Sequence, residues 1–286
     1  MKLCVAGGMN LDVTGVVSSE PVTGDSNPGR IRFTPGGVGR NIACRIAGAG
    51  HEALLLTALT GDPAGNMLRA DCAAQGIDLS LSFEAPGSAS SYMALHGPDG
   101  DMLLAVNDME CTRFLTPERV CSRLKQINAC DACVIDANLA EETIFALARG
   151  ARVPLIADAV SAHKCRRLLP AMERFDAIKP NALEAEALTG EKDVRLQARA
   201  LLKMGARRVF ISLGAKGVFA MDEKAGELLA PPSLHSCSTN GAGDALCAGI
   251  AIGAAQNLSA KSCALLGLQM AEDLLCARER AEKQGT

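Results

Sequence analysis

Short apolar runs that end at glycine or a turn alternate with segments whose apolar residues recur at helical spacing. This alternation limits the possible folds more than any other feature. "KLCVAGG" reads as a strand, and "NIACRIAGAGH", which stops at Gly48 and Gly50, reads as a helix. "EALLLTALTGD" then reads as strand and turn, and "GNMLRADCAAQGID" as a second helix. Strands that are apolar throughout need cover on both faces, and the crossover helices of a parallel sheet supply it. The order predicts an α/β protein with a mostly parallel central sheet. The rhythm resumes at Thr116, the expected N-cap of a helix over "TPERVCSRLKQINACD" with Pro117 at its first position. "ACVIDAN", "VPLIADAV" and "AIKPN" read as strands. "AEETIFALARGAR", "RRLLPAMERFD", "ALEAEALTG" and "VRLQARALLKMGA" read as helices. "RRVFISLGAKGVFAMD" reads as a strand pair around a glycine turn, and the chain from Gly241 onward reads as helical.

Two stretches break the rhythm, Val13 to Thr34 and Ser88 to Asp108. Both are alternating or β-branched, and the second carries the turn signal Gly97-Pro98-Asp99-Gly100. They predict antiparallel strands that form a small flap sheet beside the main fold. No linker, low-complexity tract or internal repeat divides the 286 residues, so a single domain spanning residues 1–286 is expected.

Several function classes are disfavoured. Aromatic residues make up 3% of the chain, with no Trp and one Tyr, Tyr92, so a platform that stacks nucleic-acid bases is not expected. A net charge of -3 offers no basic footprint for DNA or RNA. No apolar run is long enough to span a membrane. The opening "MKLCVAGG" reaches Gly7 too early for a signal peptide. Of the 12 cysteines, only Cys130 and Cys133 form a CxxC. They precede an apolar strand rather than open a helix, and no second pair or His pair completes a zinc site. Reduced, buried thiols in a cytoplasmic protein are the expectation.

The chemistry concentrates at two glycine clusters. In "STNGAGDA", the small residues Gly241, Ala242 and Gly243 stand where a helix starts. Open backbone N–H groups and the helix dipole form an anion site there. Asp244 follows directly. A carboxylate beside an anion site repels phosphate, but it suits a general base that takes a proton from a hydroxyl attacking phosphorus. It equally suits a residue that merely complements the dipole, and both readings stay open on these residues alone. In "FTPGGVGRNIA", Gly36, Gly37 and Gly39 crowd together ahead of Asn41, a sign of close approach to the backbone. Asn181 and Glu184, three apart at a helix start, can hold a hydrated Mg²⁺ and phosphate oxygens, although such pairs also occur on plain surface helices. Ser212 and Gly214 end a strand and precede Lys216 and Gly217; ligands bind at such strand ends in open parallel sheets, and plain turns look the same.

Taken in order, Asn10 and Asp12, Gly36, Gly37 and Asn41, Asn181 and Glu184, Ser212 and Gly214, and Gly241 to Asp244 resemble the ribokinase-like, or PfkB, sugar kinase family. The resemblance covers nearly the whole chain. It implies a three-layer α/β/α fold with a mostly parallel central sheet and a β lid formed by about residues 13–34 and 88–108. It also implies ATP and Mg²⁺ as cofactors. Nucleotide contacts would come from Asn181, Glu184, Ser212, Gly214, Gly217, Thr239, Gly241 and Gly243, with Glu184 reaching the metal through water. Gly241, Ala242 and Gly243 would form the anion hole, with Asp244 as base. Gly36 and Gly37 would lie under a ribose whose hydroxyls bond to Asn10, Asp12 and Asn41, and the lid would close over the substrate and exclude water.

"DSNPGRIRFTPGGVGRNIA", "SSYMAL", "NDM" and "DAVSAHKC" are similar to the members of that family that phosphorylate the 5′-hydroxyl of pseudouridine. This implies that Ser26 and Asn27 read the uracil edge, that Asn138 and Lys164 add contacts, and that a homodimer forms through the lid. Ser238 stands where the family often carries an Asp that helps bind a monovalent cation, and Asn240 where it carries Thr or Gly. That departure withdraws the expectation of potassium activation and leaves Asp244 untouched. The competing readings are a family member acting on ribose, adenosine or fructose, and a nucleoside sensor without catalysis. A dinucleotide-binding oxidoreductase is opposed by "GGMNLD", which lacks a G-x-G-x-x-G after the first strand.

Overall fold

The computed structural model describes residues 1–233 and 239–283. The strands of the first half are β1 (Lys2–Ala6), β2 (Asn10–Val17), β3 (Gly29–Gly36), β4 (Glu52–Leu56), β5 (Ala58–Leu59), β6 (Ile77–Asp78), β7 (Phe83–Glu84), β8 (Ser91–His96) and β9 (Met102–Asp108). They are followed by β10 (Ala132–Asp136), β11 (Leu155–Asp158), β12 (Ala177–Lys179), β13 (Arg208–Ser212), β14 (Val218–Asp222) and β15 (Gly226–Leu229). The helices are α1 (Val38–Gly48), α2 (Pro63–Ala74), α3 (Pro117–Cys121), α4 (Leu124–Ile127), α5 (Glu141–Gly150), α6 (Ala182–Thr189), α7 (Val194–Lys203), α8 (Ala242–Ala255) and α9 (Ala260–Lys283).

Nine strands form one sheet in the order β15-β14-β13-β12-β11-β10-β1-β4-β6. It is parallel from β6 to β13 and antiparallel across β13, β14 and β15. Successive strand residues feed two separate cores, because side chains alternate across a sheet. Cys4, Ala6, Cys133, Ile135 and Ala157 pack with Ile144 and Leu147 of α5 and Ala185 of α6. Leu3, Val5, Ala132, Val134 and Ile156 pack with Ile42 and Ile46 of α1 and Ile250 of α8. The result is the expected three-layer α/β/α architecture. Continuous apolar runs are the signature of strands covered on both faces.

Local departures from the expected elements have local causes. The helix expected from Thr116 is broken into α3 and α4. Ser122 Oγ donates to Arg119 O at 2.6 Å, a side-chain bond that competes with helix continuation. Thr116 occupies the N-cap position but makes no side-chain cap bond. "RRLLPAMERFD" forms 3₁₀ turns over Cys165–Arg174, since Pro170 has no N–H for an α-helical ladder. Among the described residues, no helix is long and apolar enough to cross a membrane. Cys130 lies just before β10 and Cys133 within it, both as buried free thiols.

A second sheet has the order β3-β2-β8-β9. β2 runs antiparallel to β3 and parallel to β8, and β8 runs antiparallel to β9. It begins at Asn10 rather than Val13, so Asn10 and Asp12 belong to it. Its register sorts residues by face. Asp12 lies opposite Thr34 and Tyr92, and Tyr92 opposite Asn107. On the other face, Val13 lies opposite Phe33 and Met93, and Met93 opposite Val106.

Candidate active site

Parallel strands aim their C-terminal ends at one edge of the sheet, where ligands bind in open α/β folds. Three buried charged residues stand at that edge: Asp136 ending β10, Asp158 ending β11 and Lys179 ending β12. Asp136 accepts from the backbone N–H groups of Gly8 at 2.8 Å and Asn138 at 2.9 Å, which ties the ends of β1 and β10 together. Burial pushes the Asp136 carboxyl up to about 6. Asp158 accepts from Val160 N at 2.9 Å and forms an ion pair with Lys179 Nζ at 3.0 Å. Burial opposes the charge on Lys179, but Asp158, Cys247 and Asp244 hold its ammonium above the ordinary lysine range. Sequence reasoning passed over Lys179. Its signal was a cation closing the apolar strand "AIK", where a charge needs a partner.

The start of α8 lies over this edge. Gly241 is its N-cap in the left-handed conformation, with φ 76°. Ala242 N bonds to Thr239 O at 3.1 Å. Among the described residues, the N–H groups of Gly243 and Asp244 have no hydrogen-bond partner. Lys179 Nζ lies 3.4 Å from where a Cβ on Gly243 would sit, so a cation stands beneath these open donors. Asp244 Oδ2 accepts from Asn41 Nδ2 at 2.9 Å, a bond that joins the two glycine clusters. Burial and the nearby Asp158 push the Asp244 carboxyl up to about 6, against the pull of Lys179 and Asn41. This carboxylate is poised to take a proton near neutral pH.

On one side of Asp244 is a cavity of about 340 Å³. Asn181, Ser212, Gly214, Gly217, Thr239, Ala242 and Gly243 line it, which brings together most of the residues expected to contact nucleotide. Leu246, Leu268, Ala271 and Leu275 supply an apolar wall. Sequence reasoning did not name that wall, although Leu268, Ala271 and Leu275 recur at helical spacing along α9. Glu184 is not among the lining residues. It forms a capping box: Oε2 accepts from Asn181 N and Oε1 from Asn181 Nδ2, each at 2.8 Å, while Glu184 N donates to Asn181 Oδ1 at 2.9 Å. The Asn-x-x-Glu spacing therefore has a structural cause of its own. Lone pairs left on both carboxylate oxygens still suit contact with a metal-bound water.

At the glycine cluster that precedes Asn41 stand Asn10 and Asp12. Asn10 Nδ2 donates to Asp12 Oδ1 at 2.6 Å, and burial raises the Asp12 carboxyl from its ordinary range. The chain itself dictates the bare glycines here. A Cβ on Gly36 would lie 2.3 Å from Asp12 Oδ2, and one on Gly37, at φ 98°, would lie 2.6 Å from Gly8 O. A side chain at either glycine would strike the protein itself, a reason for bare backbone that stands apart from the expected ribose contact. Nearby is a polar cavity of about 920 Å³ whose lining includes Asn107, Asn138, His163, Lys164 and Arg167. Lys164 Nζ donates to Asn138 Oδ1 at 2.7 Å. Arg167 Nη1 contacts three successive carbonyls, Ala137 O at 3.1 Å, Asn138 O at 3.2 Å and Leu139 O at 3.3 Å. It thereby braces the loop that carries Asn138, a role that no motif announced.

Ser26 and Asn27, expected to read the uracil edge, lie just ahead of lid strand β3, and Asn27 is engaged within its own turn. Ser26 is exposed. The Asn27 amide accepts from Val22 N at 2.7 Å and donates to Val22 O at 3.0 Å and Asp25 O at 2.9 Å. Its hydrogen-bonding capacity is largely taken up within its own turn. Ser238 lies outside the described residues, and Asn240 accepts a bond on its carbonyl from Arg278.

Comparison with known proteins agrees with this geometry. Residues 1–277 match the pfkB family of carbohydrate kinases. The pseudouridine kinase of Escherichia coli K12 is 36% identical over 283 residues, which span 96% of this chain and 87% of that protein. A carbohydrate kinase structure from Agrobacterium tumefaciens is 31% identical with a TM-score of 0.84, covering 95% of this chain and 90% of that one. Arabidopsis thaliana ribokinase, complexed with ribose and ATP, shares the fold at a TM-score of 0.82 and 19% identity, covering 94% of this chain and 91% of that one. The chain belongs to the pfkB carbohydrate kinase family and is a sugar or nucleoside kinase of ribokinase-like fold.

Proposed function

We propose that this pfkB-family kinase transfers the terminal phosphoryl group of ATP to the 5′-hydroxyl of pseudouridine, giving pseudouridine 5′-phosphate and ADP. The observation that carries the reading is the position of Asp244. It follows Gly243 of the apolar-walled cavity, beside open backbone N–H groups, and its bond to Asn41 ties it to the glycine cluster that packs against Asn10 and Asp12. The choice of pseudouridine rests on the 36% identical relative and on the segments around Asp25 to Ala43.

In this reading ATP occupies the cavity lined by Asn181, Ser212, Gly214, Gly217, Thr239 and Gly243, with its base against Leu268, Ala271 and Leu275. Gly241 and Ala242 shape the turn. The N–H groups of Gly243 and Asp244 stabilise charge on the transferring phosphoryl group, which catalyses best when the donors are already in place. Asp244 removes the proton of the attacking hydroxyl. Mg²⁺ would neutralise phosphate charge, with Glu184 holding one of its waters. Asp12, Asn10 and the remaining N–H of Asn41 bond the ribose hydroxyls beside Gly36 and Gly37. Asn138 and Lys164 meet the base. The second sheet acts as a lid, with Asp12, Tyr92 and Asn107 on its inner face, and Ser26 and Asn27 shape its edge.

The lid's outer face carries exposed Ile31, Phe33, Met93, Leu104 and Val106. A second copy of the chain covering this face belongs to the same proposal, because exposed apolar patches of this kind mark interfaces. Action in the cytoplasm, where ATP is supplied, belongs to it too. The runner-up is a kinase for another nucleoside or sugar, such as ribose, adenosine or fructose, and the roomy polar cavity around Asn138 keeps it in view. ATP consumption measured side by side with pseudouridine, uridine, adenosine, ribose and fructose tests the choice. Turnover highest on any acceptor other than pseudouridine overturns the substrate assignment.

A further inference from the structure

We propose that Arg40, in the first turn of α1, is a positioning residue that orients the Asn41 amide, and through it Asp244, while reaching the end of lid strand β3. This inference rests on the reading of Asp244 as the catalytic base. Arg40 is a largely buried cation held on three sides. Its Nε donates to Asp71 Oδ2 of α2 at 2.9 Å, and its Nη2 pairs with the same oxygen. Its Nη1 donates to Asn41 Oδ1 at 3.0 Å and reaches Pro35 O, next to Gly36 on β3, at 3.4 Å. Its backbone N–H bonds to Gly8 O at 3.2 Å, at the end of β1. One side chain therefore meets the helix carrying Asp71, the lid strand and the amide that touches the base.

Hydrogen-bond chemistry makes this arrangement directional. An amide can turn by half a rotation and exchange its oxygen and nitrogen at little intrinsic cost. A guanidinium can only donate and a carboxylate can only accept. With Arg40 on one side and Asp244 on the other, just one orientation satisfies both neighbours: oxygen toward Arg40 and nitrogen toward Asp244. In the reversed amide, an oxygen would face a carboxylate oxygen and a nitrogen would face a guanidinium. A salt bridge between α1 and α2 needs only Arg40 and Asp71. The added bond to Asn41 Oδ1 extends the chain of contacts to the reaction centre, from Asp71 through Arg40 and Asn41 to Asp244.

Other charged and titratable groups surround Asp244. They are Lys179 on β12, Asp158 on β11, Asp136 on β10, Cys247 on α8 and Arg45 on α1, with Arg278 of α9 beside Gly241. The test keeps all of them in place. Replacing Arg40 and Asp71 together by Leu removes the ion pair without leaving either charge buried alone, an exchange that proteins often tolerate. Turnover at saturating nucleoside should fall about tenfold, the scale of one hydrogen bond to a charged group. The acid limb of kcat/KM should move to higher pH, because Asp244 loses the steady donor that favours its ionised form. ATP affinity should not change. Asp71→Asn loosens the anchor while leaving Arg40 in place, and it should move the limb the same way by a smaller amount. An unmoved acid limb and native turnover in both variants, with only a lower Tm, would overturn the proposal and leave Arg40 as a strut between helices. Asp244→Asn separates the two levels. Retained turnover in that variant removes the underlying reading, whereas lost turnover together with an unmoved limb in the Arg40 and Asp71 variants removes this inference alone.

Discussion

The two large sheets of this protein reach opposite outcomes, although the four-stranded one has the longer strands. The central strands of the nine-stranded sheet are covered on both faces, so their alternating side chains feed two cores. Its edge can therefore carry Asp136, Asp158 and Lys179 in burial, where a misplaced charge would be costly. The four-stranded sheet alternates just as regularly but separates polar Asp12, Tyr92 and Asn107 from apolar residues that remain exposed, with Ile31 70% and Leu104 63% accessible. Few apolar contacts hold it against the body. Under the proposed function, reaction chemistry falls to the sheet whose strand ends are fixed in burial, and substrate capture to the sheet that leaves one apolar face uncovered.

The sharpest way to break this division is Asp244→Asn, which should reduce turnover by about 10²–10⁴-fold, the usual contribution of a general base. Calorimetry should still detect nucleoside binding. The pH dependence follows from the carboxyl raised to about 6: kcat/KM should fall as pH drops through that value and the base becomes protonated. A buried acid whose folded pKa is raised favours the fold while it is protonated, and that advantage is lost as pH rises from its ordinary range through about 6. Asp244→Asn should therefore gain thermal stability relative to the native chain between pH 4 and pH 7, as judged by scanning calorimetry at both. Native turnover in this variant would remove the chemistry from the nine-stranded sheet's edge.

Asp12→Ala tests the other half. It should weaken nucleoside binding by about 1.5–3 kcal/mol, the scale of a hydrogen bond to a charged group, and leave ATP binding nearly unchanged. Equal losses for both ligands would show that the lid cannot be separated from the body. Glu184→Gln should raise the Mg²⁺ needed for half-maximal activity several-fold while nucleoside affinity holds. A metal titration that does not move, with only a lower Tm, would restrict Glu184 to its capping box. Leu104→Lys puts a charge on the lid's outer face. It should leave the helical content intact and shift sedimentation toward the smaller species, and identical sedimentation before and after would remove this face from self-association. The smallest effect is expected from Asn27→Ala. Its amide serves its own turn, so backbone exchange over residues 22–27 should quicken while the ratio of pseudouridine to uridine turnover stays the same. A changed ratio would return Asn27 to base recognition.

Much of this was legible in the chain because its signals are local. Apolar runs and helical spacing reveal the layers. Gly241 to Asp244 mark an open helix start, and "SASSYMALHGPDGDMLLAVND" marks a hairpin. The same locality explains the misses. Gly36 announces a close approach but not by what, because its nearest obstacle, Asp12, lies on a neighbouring strand. The turn that Asn27 closes is not visible in the sequence, because it has no apolar pattern. Ser122 broke a helix that its neighbours supported.

By itself, the sequence determined the α/β class, the alternation that buries one sheet and leaves the other exposed, and the residue types available to the site. Each of these depends on neighbours a few positions apart. Only the tertiary structure decided that Asn41 would meet Asp244, that Lys179 would pair with Asp158 beneath the α8 turn, and that Arg40 would bridge Asp71 to Asn41. Those pairs lie on elements that the sheet order brings together. Burial then gives them their effect: away from water an unpaired charge is costly, so where strands and helices meet sets which charges are partnered and where a proton can be held.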